Sequence, residues 1–178
     1  MQLKILPHPN NRPSGQTFDL WADIEHRYML GRIGSIHIWF CVGAPIDRFV
    51  VPPPTEQLRV DDLWQSTCFE AFMKPADGEA YREWNFSPSS QWAAYDFESY
   101  RSKRENADVE SPPYIRTQDN LRWWQLGATI PVEADQRWQL GLSAVLEEKD
   151  GTKSYWALAH PPGKPDFHHP DCFAAQLP

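Results

Sequence analysis

Cysteine is scarce: Cys41, Cys68 and Cys172 are the only three in 178 residues. An odd count without C-x-x-C spacing leaves no disulfide framework and no thiolate pair for a metal, and suits reduced thiols in a reducing compartment. Cys68, beside Phe69 in a strand-like run, reads as packing rather than as a nucleophile. Signature motifs are missing as well. No G-x-G-x-x-G, G-x-x-x-x-G-K-[ST], G-x-S-x-G or H-E-x-x-H occurs, which removes the usual anchors for phosphate cradles, nucleophile elbows and zincins. No apolar run approaches the ~18 residues of a spanning helix, and mean hydropathy is −0.61. The first residues, Met1 to Pro9, lack the apolar stretch of an export signal, so the expected location is cytoplasmic. Positive charge is also short, with 17 Lys plus Arg against 24 Asp plus Glu and a net charge of −7. That is the wrong sign for neutralising phosphates, so neither nucleic acid nor an anionic membrane is expected as a partner.

Proline and aromatics are abundant instead: 17 Pro, 9 Trp, 9 Phe and 6 Tyr. The prolines argue against long helices, and rings able to bury roughly 150–250 Å² each can build a core without disulfides. Apolar residues alternate over Thr17–Ala22, Ser35–Val42, Cys68–Lys74, Tyr81–Phe86, Gln91–Phe97, Leu121–Ile130, Trp138–Leu146 and Ser154–Ala159. The segments between them carry turn signals, of which Asp150-Gly151 before Ser154 is the clearest hairpin mark. The expected fold is all-β, an antiparallel β-sandwich of roughly 8–11 strands with little helix. It forms one domain over 1–178, with 1–15 as an N-terminal extension and 160–178 as a C-terminal capping segment. Tyr100–Pro113 reads as an exposed excursion with room for one helical turn.

Pleat parity sorts the candidate site residues. In Tyr81–Ser87, Arg82, Trp84 and Phe86 share one face, while Tyr81, Glu83, Asn85 and Ser87 share the other, which is polar. Trp123 and Trp124 must point to opposite faces, so one of them lies away from the inner core. Asp61-Asp62 and Glu147-Glu148 are read as solvated turns rather than catalytic pairs. His160, Asp166, His168, His169 and Asp171 cluster among Pro161, Pro162, Pro165 and Pro170. They suit a capping loop with backbone hydrogen bonds, a ligand-contacting loop, or a zinc or calcium site built from Asp166, His168, His169 and Asp171. With four restrained φ angles, this segment should be ordered and fold back over one end of the sandwich.

Four stretches resemble a known family: Leu63-Trp64-Gln-Ser-Thr-Cys68-Phe69-Glu70-Ala-Phe72, Glu83-Trp-Asn85-Phe86-Ser87-Pro88-Ser89-Ser-Gln91-Trp92-Ala-Ala-Tyr95, Tyr100-Arg101, and Ser154-Tyr155-Trp156-Ala157-Leu158-Ala-His160. They are similar to a bacterial DOMON-like family related to the family 9 carbohydrate-binding modules, over roughly Trp21 to the C-terminus. The resemblance implies a β-sandwich that binds a sugar, or in some relatives haem, and performs no chemistry of its own. Haem would need axial Met and His; the methionines are Met1, Met29 and Met73, and Met73 reads as core. The expected function is therefore a non-catalytic ligand-binding module for a carbohydrate or sugar-containing metabolite, without a resident cofactor. Trp64, Trp92 and Trp156 are the candidate stacking rings, and Arg82, Asn85, Arg101 and His160 the candidate polar contacts. The alternatives are a small enzyme with His160 or His168 as general base, a haem-binding domain, and a protein-interaction domain with exposed tryptophans.

Overall fold

The computed structural model describes residues 1–27, 33–133 and 136–177. Among these, twelve strands run in chain order: β1 (Gln2–Pro7), β2 (Leu20–Arg27), β3 (Ile33–Val42), β4 (Cys68–Pro75), β5 (Tyr81–Phe86), β6 (Trp92–Phe97), β7 (Glu105–Asn106), β8 (Tyr114–Asp119), β9 (Trp124–Glu133), β10 (Trp138–Glu147), β11 (Lys153–Ala157) and β12 (Ala175–Leu177). The only helical pieces among the described residues are three 3-10 turns. The sheet is continuous and antiparallel, in the order β7-β6-β5-β4-β10-β11-β1-β2-β3-β9-β8, with β12 on the free part of β10.

Strand β1 is what turns two layers into one sheet. Its first half, Gln2 to Ile5, pairs with β2, and Leu6 and Pro7 pair with β11. Within the 1–15 segment expected as an N-terminal extension of the domain, Gln2–Pro7 is thus the strand shared by both layers. The layers face each other, as Phe40 of β3 lies 5.0 Å from Phe69 of β4 and Phe69 lies 5.4 Å from Trp124 of β9, ring centre to ring centre. Alternation decides which residues enter that core. Leu140, Leu142, Ala144 and Leu146 point inward from β10, as do Phe69, Ala71 and Met73 from β4 and Trp84 and Phe86 from β5.

Several local expectations change. Tyr114–Asp119 is a strand, and the 100–113 excursion holds the short edge strand β7 and a buried Ala107 rather than a helical turn. Glu148 is not solvated. It is buried, its carboxylate accepts from Arg48 Nε at 2.6 Å, and it also accepts from the backbone N–H and hydroxyl of Ser14. Trp124 is in the core while Trp123 is exposed, as the parity of a strand requires. All three cysteines are free and buried. Met73 packs between the layers, and Met29 lies outside the described residues.

Candidate functional site

Alternation that sends Phe69, Ala71 and Met73 inward sends Cys68, Glu70 and Phe72 to the opposite, outer face of the same layer. Cross-strand pairing then lines up Asn85 (β5), Glu70 (β4) and Ser143 (β10) in one row. Tyr95 (β6), Glu83 (β5), Phe72 (β4) and Gly141 (β10) form the next. An outer sheet face would ordinarily meet water. Here Glu70, Glu83, Asn85 and Ser143 are all buried, because two segments cover them.

The first cover is the C-terminal segment. Phe167 and Phe173 pack onto Phe72, Tyr81, Tyr95 and Phe97, a second apolar cluster on the outer side of the sheet. The cover comes so near β10 that a Cβ at Gly141 would stand 3.1 Å from the Cys172 carbonyl oxygen, tighter than an ordinary contact. The second cover is the bend after β6, which brings Arg101 and Arg104 to the same place. Arg101 Nε and Nη2 donate to Asp166 at 3.2 and 2.8 Å, tying the two covers together. Between the covers and the sheet remains a cavity of about 800 Å³, within the range of ~300–1,000 Å³ typical of small-molecule sites. Glu70, Glu83 and Phe72 form its floor, and Trp64, Tyr155, Phe167, His168, Arg101, Arg104 and Lys164 its walls.

The electrostatics of the floor are unusual. Burial pushes the Glu70 carboxyl up to about 8, with the neighbouring Glu83 charge adding to the shift and the Ser143 hydroxyl opposing it. Glu83 is raised by burial too, against its hydrogen bond from Asn85 Nδ2 at 2.6 Å. Both carboxyls are thus held above the ordinary carboxylate range, with burial as the first cause. His168 is held down to about 4 by burial. Its ring is therefore neutral near pH 7. Nδ1 shares a hydrogen bond of 2.8 Å with the Tyr81 hydroxyl, and Nε2 lies 3.7 Å from Glu83, beyond hydrogen-bond reach.

Each floor carboxylate has one side-chain donor, Ser143 for Glu70 and Asn85 for Glu83. A carboxylate can accept roughly four hydrogen bonds. The unused capacity faces the cavity, beside aromatic walls and two guanidinium groups.

Comparison with known proteins locates the fold. No family model and no curated protein matches the chain. Among solved structures, the chain is similar to a candidate carbohydrate-binding protein from Bacteroides uniformis, with a TM-score of 0.60 at 14% identity, covering 96% of this chain and 84% of that one. A family 9 carbohydrate-binding module from Caldicellulosiruptor kristjanssonii in complex with glucose superposes with a TM-score of 0.48 at 13% identity, over 86% of this chain and 75% of that one.

Of the residues expected at a site, the cavity brings together Trp64, Arg101 and His168, with Asn85 directly beneath as the donor that orients Glu83. Trp64 sits on the 3-10 turn Leu63–Gln65 ahead of β4, 48% exposed. Arg82, Trp92, Trp156 and His160 lie elsewhere. Arg82 is on the other face of β5, held by two hydrogen bonds to Asp96 at 2.7 and 2.8 Å. Trp92 and Trp156 are inside the inter-layer core, where Trp156 packs against Phe18 and donates its indole N–H to Ser154. His160 bonds the Leu6 carbonyl and meets His8 edge to face. The acidic and histidine cluster also disperses. Asp166 goes to Arg101 and Tyr100, His168 to Tyr81, and His169 Nδ1 accepts from the Asp171 backbone N–H. Among the described residues, no three His, Cys, Asp or Glu side chains gather as a metal-ligand set.

Composition gave no hint of Glu70, Ser143, Tyr95, Arg104, Tyr155 and Lys164. Parity within Cys68–Lys74 places Glu70 on the outer face, but knowing that this face is covered requires the path of the C-terminal segment.

Proposed function

We propose that the chain is a non-catalytic carbohydrate-binding module whose ligand occupies the covered cavity on the outer face of β4, β5 and β10. The observation that carries this reading is the pair of buried carboxyls, Glu70 and Glu83, whose free acceptor positions face an aromatic-walled space of about 800 Å³. Buried polar groups are costly unless satisfied, and sugar hydroxyls are donors that fit them. Trp64, at the rim, offers a ring for stacking on the C–H face of a pyranose. Arg101 and Arg104 supply donors opposite the carboxyls. The similarity in fold to a candidate carbohydrate-binding protein supports the same reading.

Isothermal titration and thermal-shift measurements against neutral monosaccharides and disaccharides test it. The expected result is saturable one-to-one binding and stabilisation that grows as RT ln(1 + [L]/Kd). Trp64→Ala should weaken binding about 2–10-fold, the value of an aromatic contact of about 0.5–1.5 kcal/mol. Absence of heat and of any thermal shift with every neutral and charged sugar at about 10 mM would overturn the reading.

A further inference from the structure

The floor of the cavity offers acceptors, whereas its walls offer cationic donors that the protein leaves incompletely paired. In a chain of net charge −7, three cations, Arg101, Arg104 and Lys164, line this one space. Arg101 spends Nε and Nη2 on Asp166 and is hydrogen-bonded to Tyr100 as well, so it is largely paired. Arg104 is fixed differently. Its guanidinium carbon lies 3.8 Å from the centre of the Tyr95 ring, and the nearest carboxylate, Asp61, is 3.9 Å away and accepts instead from the Tyr95 hydroxyl at 2.6 Å. A guanidinium stacked on an aromatic ring keeps its edge free, and that edge is a planar fork matched to two oxygens of one carboxylate or phosphate. Lys164 forms no ion pair among the described residues. Together with Arg101 it also lines an adjoining recess of about 370 Å³, which gives room for a substituent beyond a single ring.

Asp166 and Asp61 are already engaged by Arg101, Tyr100 and Tyr95, and burial favours the neutral form of both floor carboxyls, so Lys164 and the outer edge of Arg104 are the least paired charges of the wall. We infer that the ligand is an anionic sugar, a pyranose bearing a carboxylate or a phosphate that is clamped by Arg104 and Lys164 while its hydroxyls meet Glu70 and Glu83. This rests on the sugar-binding reading and narrows it to a ligand class.

Titration of the intact protein with D-glucose, D-glucuronate, D-glucose 6-phosphate and inorganic phosphate separates the two claims. At about 20 mM salt at least one charged sugar should bind about tenfold or more tighter than glucose, equivalent to about 1.4 kcal/mol. That advantage should shrink as salt rises to about 0.5 M. Comparing the two charged sugars identifies which oxyanion the fork prefers. Arg104→Gln and Lys164→Gln, checked by melting temperature to be folded, should each bring the charged-to-neutral ratio toward one. Glucose bound as well as both charged sugars would overturn the inference while leaving the sugar module standing. Inorganic phosphate bound as tightly as glucose 6-phosphate would overturn it too, since the ring would then contribute nothing. If no sugar binds, both claims fall.

Discussion

Replacing Glu70 by glutamine isolates the floor carboxyl pair with almost no change of shape. In the folded chain burial, with the neighbouring Glu83 charge, pushes the Glu70 carboxyl up from 4.5 to about 8. A folded pKa raised above the unfolded one means that the folded state holds the proton more tightly. Its stabilising effect is complete below the unfolded value and is lost as pH rises through the folded value. Histidine works in the opposite direction here. His168 falls from 6.5 to about 4, and burial lowers His37 and His160 as well, so these groups stabilise increasingly as pH rises to 6.5 and add nothing beyond it. The clean window is therefore pH 6.5 to 8. One proton across 1.5 pH units, at about 1.4 kcal/mol per unit, gives a loss of up to about 2 kcal/mol. Urea unfolding followed by tryptophan fluorescence at several pH values measures it. Wild type should lose stability across this window, whereas Glu70→Gln, which keeps an acceptor for the Ser143 hydroxyl, should stay flat. A flat wild-type profile, or the same slope in the variant, would show that the Glu70 carboxyl does not hold its proton across this window and would refute the electrostatic account of the floor.

Arg48→Ala strands the Glu148 carboxylate, whose side chain is only 4% exposed. Removing one partner of a buried pair costs about 3–5 kcal/mol, so a large drop in urea midpoint is expected, and Arg48→Ala with Glu148→Gln should recover part of it. Trp156→Ala and Trp64→Ala should separate stability from binding. The first empties a core position and should cost about 3–5 kcal/mol by chemical denaturation, whereas the second removes a half-exposed ring and should leave the midpoint within about 0.5 kcal/mol.

Alternation alone makes most of the sheet legible in the sequence. Strand β5 was placed at its observed bounds and β10 within one residue, because both alternate cleanly over a buried inner face. Strand β1 escapes because Leu3 and Ile5, followed by Pro7 and Pro9, read as a tail, and its pairing partners are more than a dozen residues away. Strand β8, Tyr114–Asp119, escaped because it lies at the sheet edge with one buried residue, Ile115, and so carries almost no periodic signal. For the site, parity gave the polar face of β5 and therefore Glu83 and Asn85. It could not say that the face is covered. Burial of an outer sheet face depends on where Arg101, Phe167 and Phe173 land, and that is set by Asp166, Tyr81 and Phe72 through contacts distant in sequence. The same limit explains Trp92 and Trp156. An abundance of tryptophan suggests stacking rings, but composition does not distinguish an indole in the inter-layer core from one on a rim.

The most direct test of the central claim is chemical-shift mapping of the isotope-labelled protein during titration with glucose and glucuronate. The account predicts saturable shifts confined to Trp64, Glu70, Glu83, Asn85, Arg104, Tyr155 and the cover around Phe167 and His168, and none in the inter-layer core around Trp156. Shifts concentrated at the far face of the sandwich, or no shifts with either sugar, would contradict it.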